Sequence, residues 1–248
     1  PADVDVIVEN MWDNLGRVIA EYTQLDRLAR AAEHDPPPGT PADPDRPPRV
    51  EVVGVEHAIP ALEARRPIVV GIGHLANWEA SAIAAHRMGA NLVAIYRPPN
   101  NAHVDRLIRK ARASLGTRLI EKRMEGPGSV QALGALRDGA ALALLCDQHF
   151  TGGIPVPFFG RPAMTSPAPA KFARHTGALL VRTERIGGAR FRVTIDRPIE
   201  IPDTGDAAAD TDAATAELTA RIEGWIRERP GQWLWLHRRW KIADRRGE

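Results

Sequence analysis

Two short runs in this chain contain nothing suited to face water: Pro67–Ile72 (PIVVGI) and Ala140–Cys146 (AALALLC). A strand with one wet face alternates apolar and polar residues. An unbroken apolar run of this length is instead buried on both faces, as in a parallel sheet covered by helices. The segments around these runs agree. Asn77–Arg87 reads as a helix stopped by Gly89, Asn91–Tyr96 as a strand, and Ala102–Leu115 and Gly128–Arg137 as helices. Val50–Val55 adds a strand, and Ala178–Ile186 and Ala189–Asp196 pair as a hairpin across Gly187-Gly188. Ser166–Thr176 and Thr211–Arg227 read as helices, the latter preceded by a loose Ala/Asp-rich loop from Asp203 to Ala214. This alternation predicts an α/β fold with a mixed, largely parallel central sheet flanked by helices.

An arm precedes that pattern. Val4, Ile7, Val8, Met11, Leu15, Val18, Ile19, Tyr22 and Leu25 recur at three- and four-residue steps, which predicts one amphipathic helix to about Arg30. Seven of the thirteen positions from Pro36 to Pro48 are proline, which rules out a helix or central strand there. The expected division is a helical arm over 1–35, a Pro-rich loop over 36–49 and one α/β domain over 50–248.

With 248 residues the chain can bury a core, and its net charge of +2 excludes a polybasic nucleic-acid binder. Neither a signal peptide nor an eighteen-residue apolar run is visible. The chain starts at Pro1 rather than methionine, which leaves room for an anchor upstream. Cys146 stands alone, so no internal disulfide forms, in keeping with a reducing compartment.

The chemistry concentrates in Gly71-Ile72-Gly73-His74-Leu75-Ala76-Asn77-Trp78-Glu79. Gly73 permits a sharp turn after the buried strand, and Asn77 is a good helix cap. His74 then lies above the strand's carboxyl end, where open α/β sheets place their sites. Within one continuous helix, five residues turn through about 500° and would point His74 and Glu79 apart. With a turn between them, the carboxylate can fold back onto the imidazole as in a general base. The competing reading is a structural histidine, with Glu79 complementing the helix dipole. The spacing is not that of a zinc HExxH helix.

Arg97 and Asp147 close two further strands, Arg112 lies in the helix between them, and parallel strands would bring these ends to the edge that carries His74. An arginine there could stabilise an oxyanion or hold a phosphate, and Asp147 could orient that arginine or bind the acceptor, which makes Arg97, Arg112 and Asp147 the candidate substrate-binding residues. Cys146 reads as a small buried hydrophobe more readily than a nucleophile. His149 rivals His74 but has no carboxylate at useful spacing. Pro155–Gly160 (PVPFFG) is apolar, and either lines an acyl pocket or packs as an ordinary loop. The tail Trp225–Lys241 holds four of six tryptophans beside five Arg or Lys. It suits a lipid headgroup interface, stacking on single-stranded nucleic acid, or a last segment packed inward.

These segments together resemble a known family. HLANWE matches the His-x4-Glu/Asp signature of glycerolipid-type acyltransferases. YRPPNNAHVDRLIRKAR is similar to the YRP-N-plus-helix segment of the late lipid A acyltransferases, the lauroyl/myristoyl transferases. DQHF followed by VPFFGRPA, the terminal QWLWLHRRWK and the opening MWDNLGRVIAEY look like that family's other segments, in its order and across nearly the whole chain. The resemblance implies a glycerolipid-acyltransferase-like fold with His74 as base and Glu79 as its partner. Arg112 and Asp147 match residues of the family's functional set, and Arg97 the YRP arginine. It also implies acyl-carrier-protein thioester as donor and a lipid A precursor as glycolipid acceptor. Transfer would be direct, at the cytoplasmic face of the inner membrane, with neither metal nor organic cofactor and no nucleic acid. The chain departs from the pattern in lacking an N-terminal membrane helix and in its longer Pro-rich loop. Another glycolipid acceptor, such as a phosphatidylinositol mannoside, fits the same motif. A non-catalytic module binding membrane or nucleic acid through the tail would leave His74 and Glu79 dispensable.

Overall fold

The computed structural model describes residues 4–121, 128–174 and 176–240. Helices α1 (Val4–Tyr22) and α2 (Leu25–Ala32) lead into β1 (Val50–Val53), α3 (Ile59–Glu63), β2 (Ile68–Ile72), α4 (Ala80–Arg87), β3 (Leu92–Tyr96), α5 (Ala102–Ser114) and β4 (Arg118–Glu121). Then follow α6 (Gly128–Arg137), β5 (Ala141–Leu145), β6 (Ile154–Phe158), β7 (Arg161–Thr165), α7 (Ala168–Ala173), β8 (Ala178–Gly187), β9 (Arg190–Ile195) and α8 (Ala207–Glu228). Seven strands form one sheet in the order β1-β9-β8-β2-β5-β3-β4, and β6 and β7 form a separate hairpin. Only β8–β9 pairs antiparallel within the large sheet, so the fold is α/β with a mixed, mostly parallel sheet.

The two apolar runs lie at its centre. β2 and β5 are parallel neighbours, Ile72 opposite Leu145. Alternate residues feed opposite cores. Val69, Leu142, Leu144 and Leu180 pack with α6, α7 and α8 on one face, while Ile68, Ile72, Ala143 and Val181 pack with α2, α4 and α5 on the other. Both faces are dry, which is why these strands carry no polar alternation. The β8–β9 reversal needs positive φ at both Gly187 (151°) and Gly188 (53°), which glycine supplies without steric cost.

Four sequence expectations change. The single helix over the arm is two, broken at Thr23-Gln24, and the second turns its Leu25 and Ala32 into the core. The loose loop expected to Ala214 is helical from Ala207, because Asp206 accepts from Ala208 N and Ala209 N as an N-cap. Pro155 and Pro157 sit in β6, a strand paired on one side only, which tolerates proline. The helix expected from Asn77 begins at Ala80. The Pro-rich stretch remains a loop whose ends meet. Asp35 accepts from Arg49 N and Val50 N, both at 2.8 Å, and the Arg87 guanidinium donates to Pro36 O and, at 2.8 Å, to Val50 O.

Candidate active site

β2 and β5 are neighbours, so the loops that follow them emerge together. His74, two residues past β2, and Asp147, two past β5, are both buried, at 8% and 3% exposure. The imidazole Nδ1 lies 2.7 Å from Asp147 Oδ1. Asp147 Oδ2 accepts from His74 N at 2.6 Å and from the Trp233 indole Nε1 at 2.7 Å. Burial opposes ionisation of this carboxyl, but the facing imidazole and these donated hydrogen bonds outweigh it and hold Asp147 below the usual carboxylate range. An anionic Asp147 accepts from Nδ1 and so turns the other ring nitrogen, Nε2, toward Gln148 Nε2 at 3.3 Å. The Trp78 ring stands edge-on to the imidazole, 4.9 Å between centroids, and restricts its rotation. A Cβ on Gly73 would come within 2.6 Å of Leu75 Cδ1, so the buried Leu75 side chain would have to shift to admit one.

Glu79 does not fold back onto His74, and the expected local pair gives way to the His74–Asp147 pair. The Glu79 carboxylate turns to the other side, where Arg112 donates to it through Nε at 3.1 Å to each oxygen and through NH2 at 2.6 Å, and the Tyr22 hydroxyl donates to Oε1. Burial and the carboxylate push Tyr22 well above its ordinary value, so it stays a donor. Burial works against the Arg112 cation, but Glu79 and Tyr22 hold its pKa above the usual value. Arg112 therefore spends its fork on Glu79 and not on an orienting contact with Asp147.

Arg97 lies at the end of β3, one strand beyond β5, and is exposed, without an ion pair among the described residues. The other candidates settle as follows. Burial, then Asp147, pushes the Cys146 thiol up to about 12, so it is a packed small hydrophobe and not a nucleophile. His149 has no carboxylate partner among the described residues. Phe158 packs on Trp233 and Trp240, at 5.8 and 5.5 Å between centroids, so Val156 and Phe158 of the PVPFFG segment pack in the core, while Pro155, Pro157 and Gly160 are exposed. The tail packs inward as well, contrary to a headgroup or nucleic-acid surface. Trp225 and Trp233 are buried, Trp235 and Trp240 lie against the same cluster, and Arg239, 1% exposed, donates to Met164 O at 2.7 Å and Thr165 Oγ1 at 2.5 Å. Arg238 is exposed, and Lys241 falls outside the described residues.

Two adjoining apolar cavities, of about 50 and 40 Å³, lie between α4 and the sheet. They share Ile72, Ser81 and Leu92. One runs beneath Ala84 and Met88, and the other reaches Trp78, Glu79 and Arg112. The small residues of α4 (Ala80, Ser81, Ala82, Ala84, Ala85) leave this space.

Sequence reasoning named His74 and Asp147 but paired neither with the other. It missed Gln148 and Trp233 as their partners and Tyr22 as a partner of Glu79. The available signal was the convergence of strand ends and the position of Gln148 next to Asp147.

A buried strand-end histidine held by a carboxylate thus stands where open α/β sheets carry their sites. Residues 2–242 match the bacterial lipid A biosynthesis acyltransferase family, and the chain belongs to that family. It is similar to the phosphatidylinositol mannoside acyltransferase of Mycolicibacterium smegmatis, 25% identical over 79% of this chain and 64% of that protein. It is likewise similar to the phosphatidylinositol mannoside acyltransferase of Mycobacterium tuberculosis, 29% identical over 77% of this chain and 60% of that protein. The chain thus spans somewhat under two thirds of the length of these curated relatives.

Proposed function

We propose that this chain transfers a fatty acyl group from a thioester donor to a glycolipid hydroxyl, with His74 as general base and Asp147 as the carboxylate that orients it. The observation that carries this reading is the 2.7 Å contact between Asp147 and His74 Nδ1, which orients the ring and directs Nε2 away from the carboxylate. Nε2 takes the proton from the acceptor hydroxyl. The oxygen attacks the thioester carbonyl, the C–S bond breaks, and the imidazolium returns its proton to the departing sulfur. Gln148, 3.3 Å from Nε2, marks where the hydroxyl enters. Transfer is direct, since Cys146 is buried and held protonated. The apolar cavities beneath α4, about 50 and 40 Å³, would have to widen to admit an acyl chain. Arg97, exposed at the sheet's carboxyl edge, is the free cation for a phosphate of donor or acceptor, whereas Arg112 serves the fold through Glu79.

A phosphatidylinositol mannoside is the acceptor favoured by both relatives, and a lipid A precursor the one favoured by the family description. Acyl-carrier-protein thioester is the proposed donor. The test is to supply the purified protein with acyl thioester and each glycolipid in turn, and to read products by mass spectrometry. Acylated mannoside is the expected product. Acylated lipid A precursor alone would reassign the acceptor, and no product with either glycolipid would overturn the reading.

No helix among the described residues is long and apolar enough to cross a membrane. With the tail packed inward, we place peripheral contact with the inner-membrane surface on the arm. Val4, Val8, Trp12 and Ile19 share one exposed stripe of α1, and Trp12 is the one exposed tryptophan of the six, at 53%. Brominated lipid in vesicles should quench part of the wild-type fluorescence and none of that part in Trp12→Phe. An unquenched wild type would remove the arm from the lipid surface.

A further inference from the structure

The segment that carries His74 has little regular structure of its own between Ile72 and Ala80. Ala76 within it takes a left-handed φ of 49°, which a residue with a Cβ keeps only where its surroundings over-determine it. One wall is the tail. Leu75 bridges Trp233, Leu234 N donates to His74 O at 3.1 Å, and Ala76 N donates to Gln232 O at 2.9 Å.

The other wall is α1. Asn14 Nδ2 donates to Ala76 O at 3.3 Å, and Asn77 Nδ2 donates to Glu21 Oε2 at 2.8 Å. Asn77 is fully buried, and its Oδ1 accepts from Glu79 N at 3.1 Å. Behind the arm stands Arg185 on β8. Its NH1 and NH2 grip the two Glu21 oxygens at 2.6 and 3.0 Å, and its Nε donates to Asn14 Oδ1 at 3.2 Å. The Arg185 backbone also exchanges two hydrogen bonds with the Gln232 side chain, at 2.9 and 3.0 Å. A continuous polar chain thus runs from the sheet through Arg185, Glu21 and Asn77 to the start of α4, and Arg185 contacts both walls, as does Asn14, which also donates to Gln232 O at 3.3 Å. Three side chains of the arm, at positions 14, 21 and 22, converge on a loop of seven residues from Gly73 to Glu79.

We propose that Glu21 and Arg185 are positioning residues of the reaction: through Asn77 they fix the loop that carries His74, so the arm is one wall of the catalytic centre. This rests on the reading of His74 as the base. Neither residue touches His74 or Asp147, so their effect is on placement and not on proton transfer itself.

The experiment compares Glu21→Ala, Arg185→Ala, their double variant and the conservative Glu21→Gln and Arg185→Lys. It measures kcat, KM, Tm and the 15N resonances of the His74 ring. Misplacing a reacting group by an ångström costs on the order of a hundredfold. Each alanine variant should therefore lose about ten- to a hundredfold in kcat, with KM near wild type. The double variant should lose no more than the worse single one, because the two act in series. Glu21→Gln keeps an acceptor for Asn77 and should restore most of the rate and the ring resonances. If the alanine variants do not fold, Arg185→Lys decides, because an ammonium cannot reproduce the two-pronged grip on Glu21. A loss of kcat with displaced ring resonances there supports the proposal. Wild-type kcat and ring resonances in the folded alanine variants, or in Arg185→Lys where those do not fold, or losses that track Tm alone, overturn it. Displaced resonances in a protein that acylates neither glycolipid would uphold the positioning role while removing the acyl-transfer reading.

Discussion

Asp147→Asn is expected to lower kcat by about 10²–10⁴ while leaving the fold and KM nearly unchanged, the range set by general-base catalysis and by loss of the orienting carboxylate in hydrolase triads. The carboxylate accepts three hydrogen bonds, from the imidazole Nδ1, His74 N and Trp233 Nε1. Asparagine offers one oxygen and one NH2, so at least one of these donors meets another donor. If the NH2 faces the ring, Nδ1 becomes an acceptor and the proton moves to Nε2, the nitrogen that must be free. Whichever way the amide points, the negative charge that steadies the imidazolium is gone. His74→Ala should cost at least as much, and the double variant hardly more, since the two act as one unit. Near wild-type turnover in Asp147→Asn would remove Asp147 from the mechanism. The charge also links folding to pH. The folded pKa of Asp147 lies below its unfolded value, near 3.9 for an ordinary aspartate. The stability it contributes is full above that value and is lost as pH falls through the folded pKa. Acid unfolding of Asp147→Asn should therefore be less steep below about pH 4.

Arg112→Ala is expected to act on stability first. It strands the Glu79 carboxylate, whose side chain is 4% exposed, with only the Tyr22 hydroxyl to meet it. Removing one partner of a buried ion pair costs about 3–5 kcal/mol. For a chain of this size that corresponds to a fall in Tm of roughly 6–20 °C. Arg112→Lys should recover little, because Nε and NH2 both contact the carboxylate and an ammonium cannot reproduce that fork. Arg112→Met combined with Glu79→Leu should recover more than either single change, since it leaves no unpaired charge. Calorimetry decides the matter: a Tm for Arg112→Ala within about two degrees of wild type, at most about one kcal/mol on this scale, would mean the pair carries no such weight.

The contrast between these predictions follows from what the sequence could reveal. β2 and β5 were legible because a strand buried on both faces admits no polar residue, and their apolar runs say so locally. β4 (RLIE) was not, since four residues at a sheet edge carry no such pattern. His74 and Asp147 were each legible as polar groups ending apolar strands. Their pairing was not, because it depends on β5 lying next to β2, and that order is set by crossovers that local spacing does not encode. Glu79 reads as the partner from its nearness in sequence and from its place in the His-x4-Glu/Asp signature, neither of which fixes where its carboxylate turns. Its true partners come from α1 and α5, 57 residues before it and 33 after. The inward packing of Trp233, Trp235 and Trp240 was likewise open, since tryptophan beside arginine serves a lipid surface and a core equally well.

The indole of Trp233 clasps Asp147 from 86 residues further along the chain, and its backbone bridges Leu75. During synthesis, then, every strand of the large sheet is made before Trp233. A nascent chain halted anywhere between the end of β9 and Trp233 would hold His74 and Asp147 on neighbouring strand ends, yet lack the segment that bridges Leu75 and grips the carboxylate.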